Sequence, residues 1–105
     1  MKIKNATMVK FLNSSDELIK KKLPIKLYYA LSQNLKTFAG MIQVYQDAYE
    51  KAKGNQKELI ELINQEIDAS VQTIPKEAIE MLDTESRFDP LTWEEYEAIS
   101  FMIEE

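Results

Sequence analysis

The sequence predicts a mainly α fold: a long antiparallel helical hairpin with additional short helices and one short two-stranded β element. Three observations lead there. Tyr28, Leu31, Leu35, Phe38, Ile42, Tyr45, Tyr49 and Ala52 recur at alternating intervals of three and four, which lines apolar side chains along one side of an α-helix. Gly54-Asn55 interrupts the run, and helical spacing resumes at once with Leu59, Ile60, Leu62, Ile63 and Ile67, so a tight connection folds a second helix back on the first. Helix-start signals at Pro24, Pro75 and Thr92-Trp93-Glu94-Glu95 divide the remainder into shorter helical pieces.

Taken in order, residues 1–4 form a short extended start, and Asn5 caps a helix over about 6–22 whose apolar face is Met8, Phe11, Leu12, Leu18, Ile19 and Leu23. Ser15 occupies the remaining turn of that face. The competing signal is Ser14-Ser15-Asp16-Glu17, where Ser14 and Glu17 have capping-box spacing, so a break near Asn13 stays open. Pro24 cannot continue a helix but suits the first turn of a new one, which runs over about 24–53, roughly 45 Å at the helical rise. The next helix covers 56–69. Val71, Gln72, Thr73 and Ile74 favour a strand, for which residues 1–4 are the available partner. Pro75 opens a helix to about Asp83 with Ile79 and Leu82 inward, residues 84–91 form a loop, and a final helix spans about 93–104. Tyr96, Ile99 and Ile103 define its inner stripe, which leaves Phe101 outside. No repeat or linker divides the chain, so residues 1–105 read as a single helical domain.

Absent residue types narrow the chemistry. The chain has no cysteine and no histidine, which removes thiol nucleophiles, an imidazole base and the usual zinc ligand sets. No serine is followed three residues later by lysine, and with only Gly40 and Gly54 there is no phosphate-cradling glycine loop. A non-enzymatic protein without a cofactor is the expectation. Carboxylates alone come closest to a site in "DTESRFDPLTWE", where Asp83, Glu85, Asp89 and Glu94 take positions 1, 3, 7 and 12 of a calcium-loop frame. Phe88 stands where that frame needs glycine and Arg87 presents a cation, so the segment reads as an acidic loop between helices. The early apolar residues are split by Lys10, and the longest apolar run, Leu27 to Leu31, is too short to cross a bilayer. The expectation is a cytoplasmic protein with no membrane partner.

The net charge of -5 conceals two unlike halves: residues 1–53 hold ten lysines against four acids, a balance of +6, and residues 54–105 hold three basic residues against fourteen acids, a balance of -11. Lys20, Lys21 and Lys22 suit the last turn of the first helix, where exposed carbonyls favour cations. Lys26 lies in the first turn of the next helix and Tyr29 points away from the apolar seam, so Lys22, Lys26, Tyr29 and Lys36 make a candidate contact patch beside the plain reading of a solvated helix corner. Direct nucleic-acid binding is not expected, because Arg87 is the only arginine and no groove-reading motif is present. The converse is a carboxylate surface of Glu58, Glu61, Glu66 and Asp68 with Glu94, Glu95 and Glu97, able to occupy a nucleic-acid groove on another protein. The seam, with Tyr45 and Tyr49, serves either as the core of a helical bundle or, where neighbours leave it uncovered, as the interface of a homodimer. Tyr29 and Phe101 are the exposed aromatic candidates for holding a protein partner.

In "MKIKNATMVKFLNSSDELIKKKLPIKLYYALSQNLKTF", and again in "VQTIPKEAIEMLD" followed by "LTWEEYEAISFMI", the chain resembles small uncharacterised proteins encoded by phages and prophages of Gram-positive bacteria. The shared pattern is one of helix ends and core positions over residues 1–38 and 71–103. It implies a viral origin and action inside a bacterial host through protein contacts, as a binding or assembly factor or, alternatively, as an acidic inhibitor of a host nucleic-acid-processing or defence protein. It implies no catalytic residue.

Overall fold

The computed structural model describes residues 1–104 and is mainly α. Its elements in order are β1 (Lys2–Lys4), α1 (Asn5–Ile19), α2 (Ile25–Ala39), α3 (Ile42–Ala52), α4 (Gln56–Asn64), β2 (Glu66–Asp68), β3 (Ile74–Pro75), α5 (Lys76–Thr84), α6 (Trp93–Ile99), a 3₁₀ turn (Ser100–Met102) and β4 (Ile103–Glu104). The molecule is elongated, with extents of 48 × 22 × 22 Å.

Helix α1 runs unbroken through Asn13, and its buried residues Asn5, Met8, Phe11, Ser15 and Leu18 lie on one stripe. Ser15 keeps its place there by donating its hydroxyl to the Leu12 carbonyl at 2.8 Å, which satisfies the group without leaving the helix. Asn5 is the first helical residue rather than the cap. Its side-chain amide donates to the Leu62 carbonyl at 2.9 Å, and its backbone N–H donates to the Gln65 carbonyl at 2.9 Å. The start of α1 therefore ties itself to the end of α4, adding a second donor to the Leu62 carbonyl, which also accepts from the Gln65 N–H at 3.2 Å, and supplying one to the carbonyl of the cap residue Gln65.

The expected rod over 24–53 is divided. Helix α2 ends at Ala39, and the Met41 N–H reaches back only three residues, to the Phe38 carbonyl at 3.0 Å, before α3 begins at Ile42. Glycine costs about 1 kcal/mol in a helix interior, and Gly40 sits at the break. The break turns Met41, Ile42 and Tyr45 onto the core. The antiparallel hairpin is consequently built from α3 and α4 alone, joined through Gly54, whose φ of 92° is the left-handed conformation that glycine adopts without strain. Asn55 caps α4 by accepting from the Glu58 N–H at 3.2 Å.

Strand pairing also differs from expectation. Residues 1–4 do not pair with 71–74. Instead β1 pairs antiparallel with β2, with Lys2 opposite Asp68, Ile3 opposite Ile67 and Lys4 opposite Glu66; the predicted helix over 56–69 gives way to this strand after Asn64. The short strand β3 pairs parallel with β4, with Ile74 opposite Ile103, which ends the last helix early. The core joins Phe11 and Leu18 of α1, Leu27, Leu31 and Phe38 of α2, and Ile74, Ile99 and Met102 from the C-terminal part. On α2 the buried stripe is Leu27, Ala30, Leu31, Asn34 and Phe38, rotated by about one position from the seam read in the sequence, so that Tyr28 is exposed.

Candidate functional site

No side-chain cluster of the kind that supports catalysis by metal appears among the described residues. Two of the four acids of the calcium-like frame are engaged elsewhere, and Asp83 and Glu94 are exposed. Asp89 accepts from the Lys22 backbone N–H at 2.7 Å, and the Asp89 N–H donates to the Lys22 carbonyl at 2.9 Å. Glu85 pairs with Arg87 at 2.9 Å.

Three surfaces expose large apolar side chains instead: the α3–α4 hairpin, the start of α6, and the start of α2 with Ile25, Tyr28 and Tyr29. The first is the α3–α4 hairpin. No residue of α4 is buried, and in α3 only Ala52 is. Val44 is 75% exposed, Ile60 53% and Tyr49 38%. At the base of the hairpin a cleft of about 380 Å³ lies between α3, α4 and α1, lined by Met8, Met41, Val44, Tyr45, Leu62 and Ile67. These helices are amphipathic, so their apolar stripes call for a second layer to cover them; among the described residues the core reaches Met41, Ile42 and Tyr45 at the start of α3. Tyr45 and Tyr49 stack at a slant, ring centroids 6.1 Å apart.

The second surface is at the start of α6. Thr92 and Glu95 form a reciprocal capping box, with the Thr92 hydroxyl accepting from the Glu95 N–H at 3.1 Å and Glu95 Oε1 accepting from the Thr92 N–H at 2.8 Å. This arrangement turns Glu95 inward, so the buried stripe becomes Glu95, Ala98, Ile99 and Met102, and rotates Trp93 and Tyr96 outward. Trp93 is 74% exposed and stacks on Tyr96, centroids 6.3 Å apart with planes 17° from parallel. The sequence signal was the capping box itself, since a reciprocal bond fixes which way the third helical residue faces.

Glu95 therefore does not belong to an acidic surface. Only 6% exposed, it pairs with Lys21 Nζ at 3.0 Å. Burial pushes its carboxyl pKa up, but the hydrogen bonds from Thr92 and the bond and charge of Lys21 outweigh that and hold it below its ordinary value. Lys21 also donates to the Pro90 carbonyl at 2.8 Å. Helix α1 ends at Ile19, so Lys20, Lys21 and Lys22 lie at and beyond its end rather than in its last turn.

The other acids are scattered and partly countered. Glu66 and Asp68 face Lys4 and Lys2 across the β1–β2 ladder, the N-terminal ammonium lies 3.3 Å from Asp68, and Glu97 pairs with Lys10 at 3.3 Å. Glu58 and Glu61 are exposed on α4 and Glu94 on α6. The two halves of opposite charge thus meet at several contacts, which divides the carboxylates into small groups.

Of the basic patch, Lys26 and Tyr29 do come together, flanking a shallow cleft with Ile25 and Pro75. Lys36 lies in the last turn of α2, ten residues or about 15 Å along the helix from Lys26. Lys22 precedes the helix, its backbone clamped by Asp89. Phe101 is no exposed aromatic: it is half-buried against Phe11 and Phe38, with centroids 5.6 and 6.0 Å away. The 3₁₀ turn after Ile99 rotates it inward, a change of helix type that apolar spacing does not announce.

No helix among the described residues is long and apolar enough to cross a membrane. Comparison of the chain with protein-family models, curated proteins and solved structures finds no match.

Proposed function

We propose that the protein is a non-enzymatic binding or assembly factor, and that its working surface is the α3–α4 hairpin, which pairs with a second copy of the chain. The uncovered hairpin carries this reading. A folded monomer of 12.2 kDa is expected to expose about 6,100 Å², whereas this chain exposes 7013 Å². The excess, about 900 Å², is close to the roughly 800 Å² per partner that a standard protein interface removes from water. The Cα radius of gyration, 14.9 Å, also exceeds the value of about 13 Å expected for a compact chain of this length.

Helices of this kind bury their open stripes by packing against like helices, and a two-fold arrangement lets Val44 and Ile60 of each copy enter the other's surface. The resemblance noted in the sequence extends the proposal to a phage or prophage protein acting in the cytoplasm of a bacterial host. Size exclusion coupled to light scattering tests the pairing: a dimer is expected, dissociated by Val44→Glu with Ile60→Glu.

A further inference from the structure

The stacked Trp93–Tyr96 pair forms one wall of a further cleft, of about 380 Å³, between α5, α6 and the loop before α6. Ile79, Leu82 and Pro90 contribute its apolar lining, and Asp83 is the one charged residue in it. Asp83 forms no ion pair among the described residues. It sits in the last turn of α5, which contains no basic residue, so the partial negative charge of the helix end is added to that of the carboxylate. Glu80 and Glu94 are exposed nearby on the same two helices. Cations of the flanking segments are committed or distant: Arg87 pairs with Glu85, Lys21 is held by Glu95 and the Pro90 carbonyl, Lys10 by Glu97, and Lys76 lies seven residues from Asp83, about 10 Å along α5.

From this arrangement we infer that the cleft binds an arginine side chain presented by a peptide segment of another protein. An apolar cleft with an unpaired carboxylate and an exposed indole wall is complementary to a flat cation. A guanidinium stacks on the face of Trp93 and Tyr96, where the ring quadrupoles attract it, and meets Asp83 with its forked N–H groups. An ammonium supplies the charge without the flat surface. Tryptophan, tyrosine and arginine are also the residues that concentrate binding energy at interfaces. The site is separate from the hairpin and stands whether or not the hairpin dimerises.

Trp93 is the only tryptophan in the chain, so its fluorescence reports on this cleft alone. Acetyl-tetra-arginine amide titrated into the full chain is expected to change the emission saturably. Asp83→Asn should weaken the affinity by about five-fold and Tyr96→Leu by a similar factor, with unchanged far-ultraviolet circular dichroism in both, while Glu58→Gln with Glu61→Gln leaves it within two-fold. Acetyl-tetralysine should bind more weakly and acetyl-tetraglutamate not at all. The proposal is overturned by any of four results: no saturable change up to millimolar tetra-arginine, full affinity in the folded Asp83→Asn variant, equal affinity for tetralysine, or binding of tetraglutamate.

Discussion

Asn34 and Gln72 exchange two hydrogen bonds across 38 residues of sequence: the Asn34 amide donates to the Gln72 carbonyl at 2.9 Å, and the Gln72 N–H donates to Asn34 Oδ1 at 2.7 Å. Asn34 is fully buried in α2, and its carboxamide imitates the backbone of a neighbouring strand. It anchors the segment leading into β3, and its amide also lies 3.4 Å from Met102 Sδ, on the turn leading into β4.

Asn34→Ala leaves both Gln72 backbone groups without their partner and opens a cavity, so a loss of about 2–3 kcal/mol is expected in urea unfolding. Gln72→Ala keeps the same backbone groups, and its stability should stay within about 0.5 kcal/mol of the parent. Equal losses from the two variants would show that the side chain of Gln72, rather than its backbone, makes the link.

The Glu95 carboxyl is held below its ordinary pKa in the folded chain. A depressed folded pKa means that the unfolded chain binds the proton more tightly. Its contribution is therefore present above the unfolded value, about 4.3, and is lost as pH falls through the lower folded value. Glu95→Gln should cost about 1–2 kcal/mol at pH 7 through the lost ion pair and weakened cap. Its denaturant midpoint should also fall less steeply than the parent's on acidification below about pH 4; parallel acid profiles would exclude this role.

The two glycines should respond with opposite signs. A Cβ on Gly40 would meet the Thr37 carbonyl oxygen at 3.5 Å, an ordinary contact, and the residue has negative φ. Gly40→Ala should therefore stabilise by up to about 1 kcal/mol. Gly54 holds φ at 92°, so Gly54→Ala should destabilise by about 1 kcal/mol despite the open space around it. Thermal or urea unfolding of the two variants checks both signs.

Phe101 bridges Phe11 and Phe38, so Phe101→Ala should cost about 2 kcal/mol of stability. A variant as stable as the parent in urea would mean that the aromatic cluster adds little to the fold.

The sequence made the helices legible where periodicity and punctuation agreed: Ser15 on the buried face of α1, the turn at Gly54 and the capping box at Thr92 all stand in the structure. It misplaced what depends on distant partners. The spacing of Tyr28, Leu35 and Tyr49 allows one continuous helix, and nothing local says that Met41 and Tyr45 gain more by turning onto the core. Two- and three-residue strands carry almost no pattern of their own, so β1 found Glu66–Asp68 rather than the more β-favouring Val71–Ile74. Nothing local marks Asn34 as structural, because its partner is a backbone 38 residues away. Spacing put Tyr96 on the inner stripe of the last helix, whereas the inward turn of Glu95 rotates Tyr96 and Trp93 outward.

The mass in solution of the parent chain and of the Val44→Glu, Ile60→Glu double variant tests the hairpin account most directly. Both positions are exposed in the single chain, so the substitutions should leave the monomer's own fold intact. The account predicts a parent species of twice 12.2 kDa that becomes monomeric in the variant with its helical content unchanged. A parent that stays monomeric at every concentration, or a dimer that survives both glutamates, would contradict it.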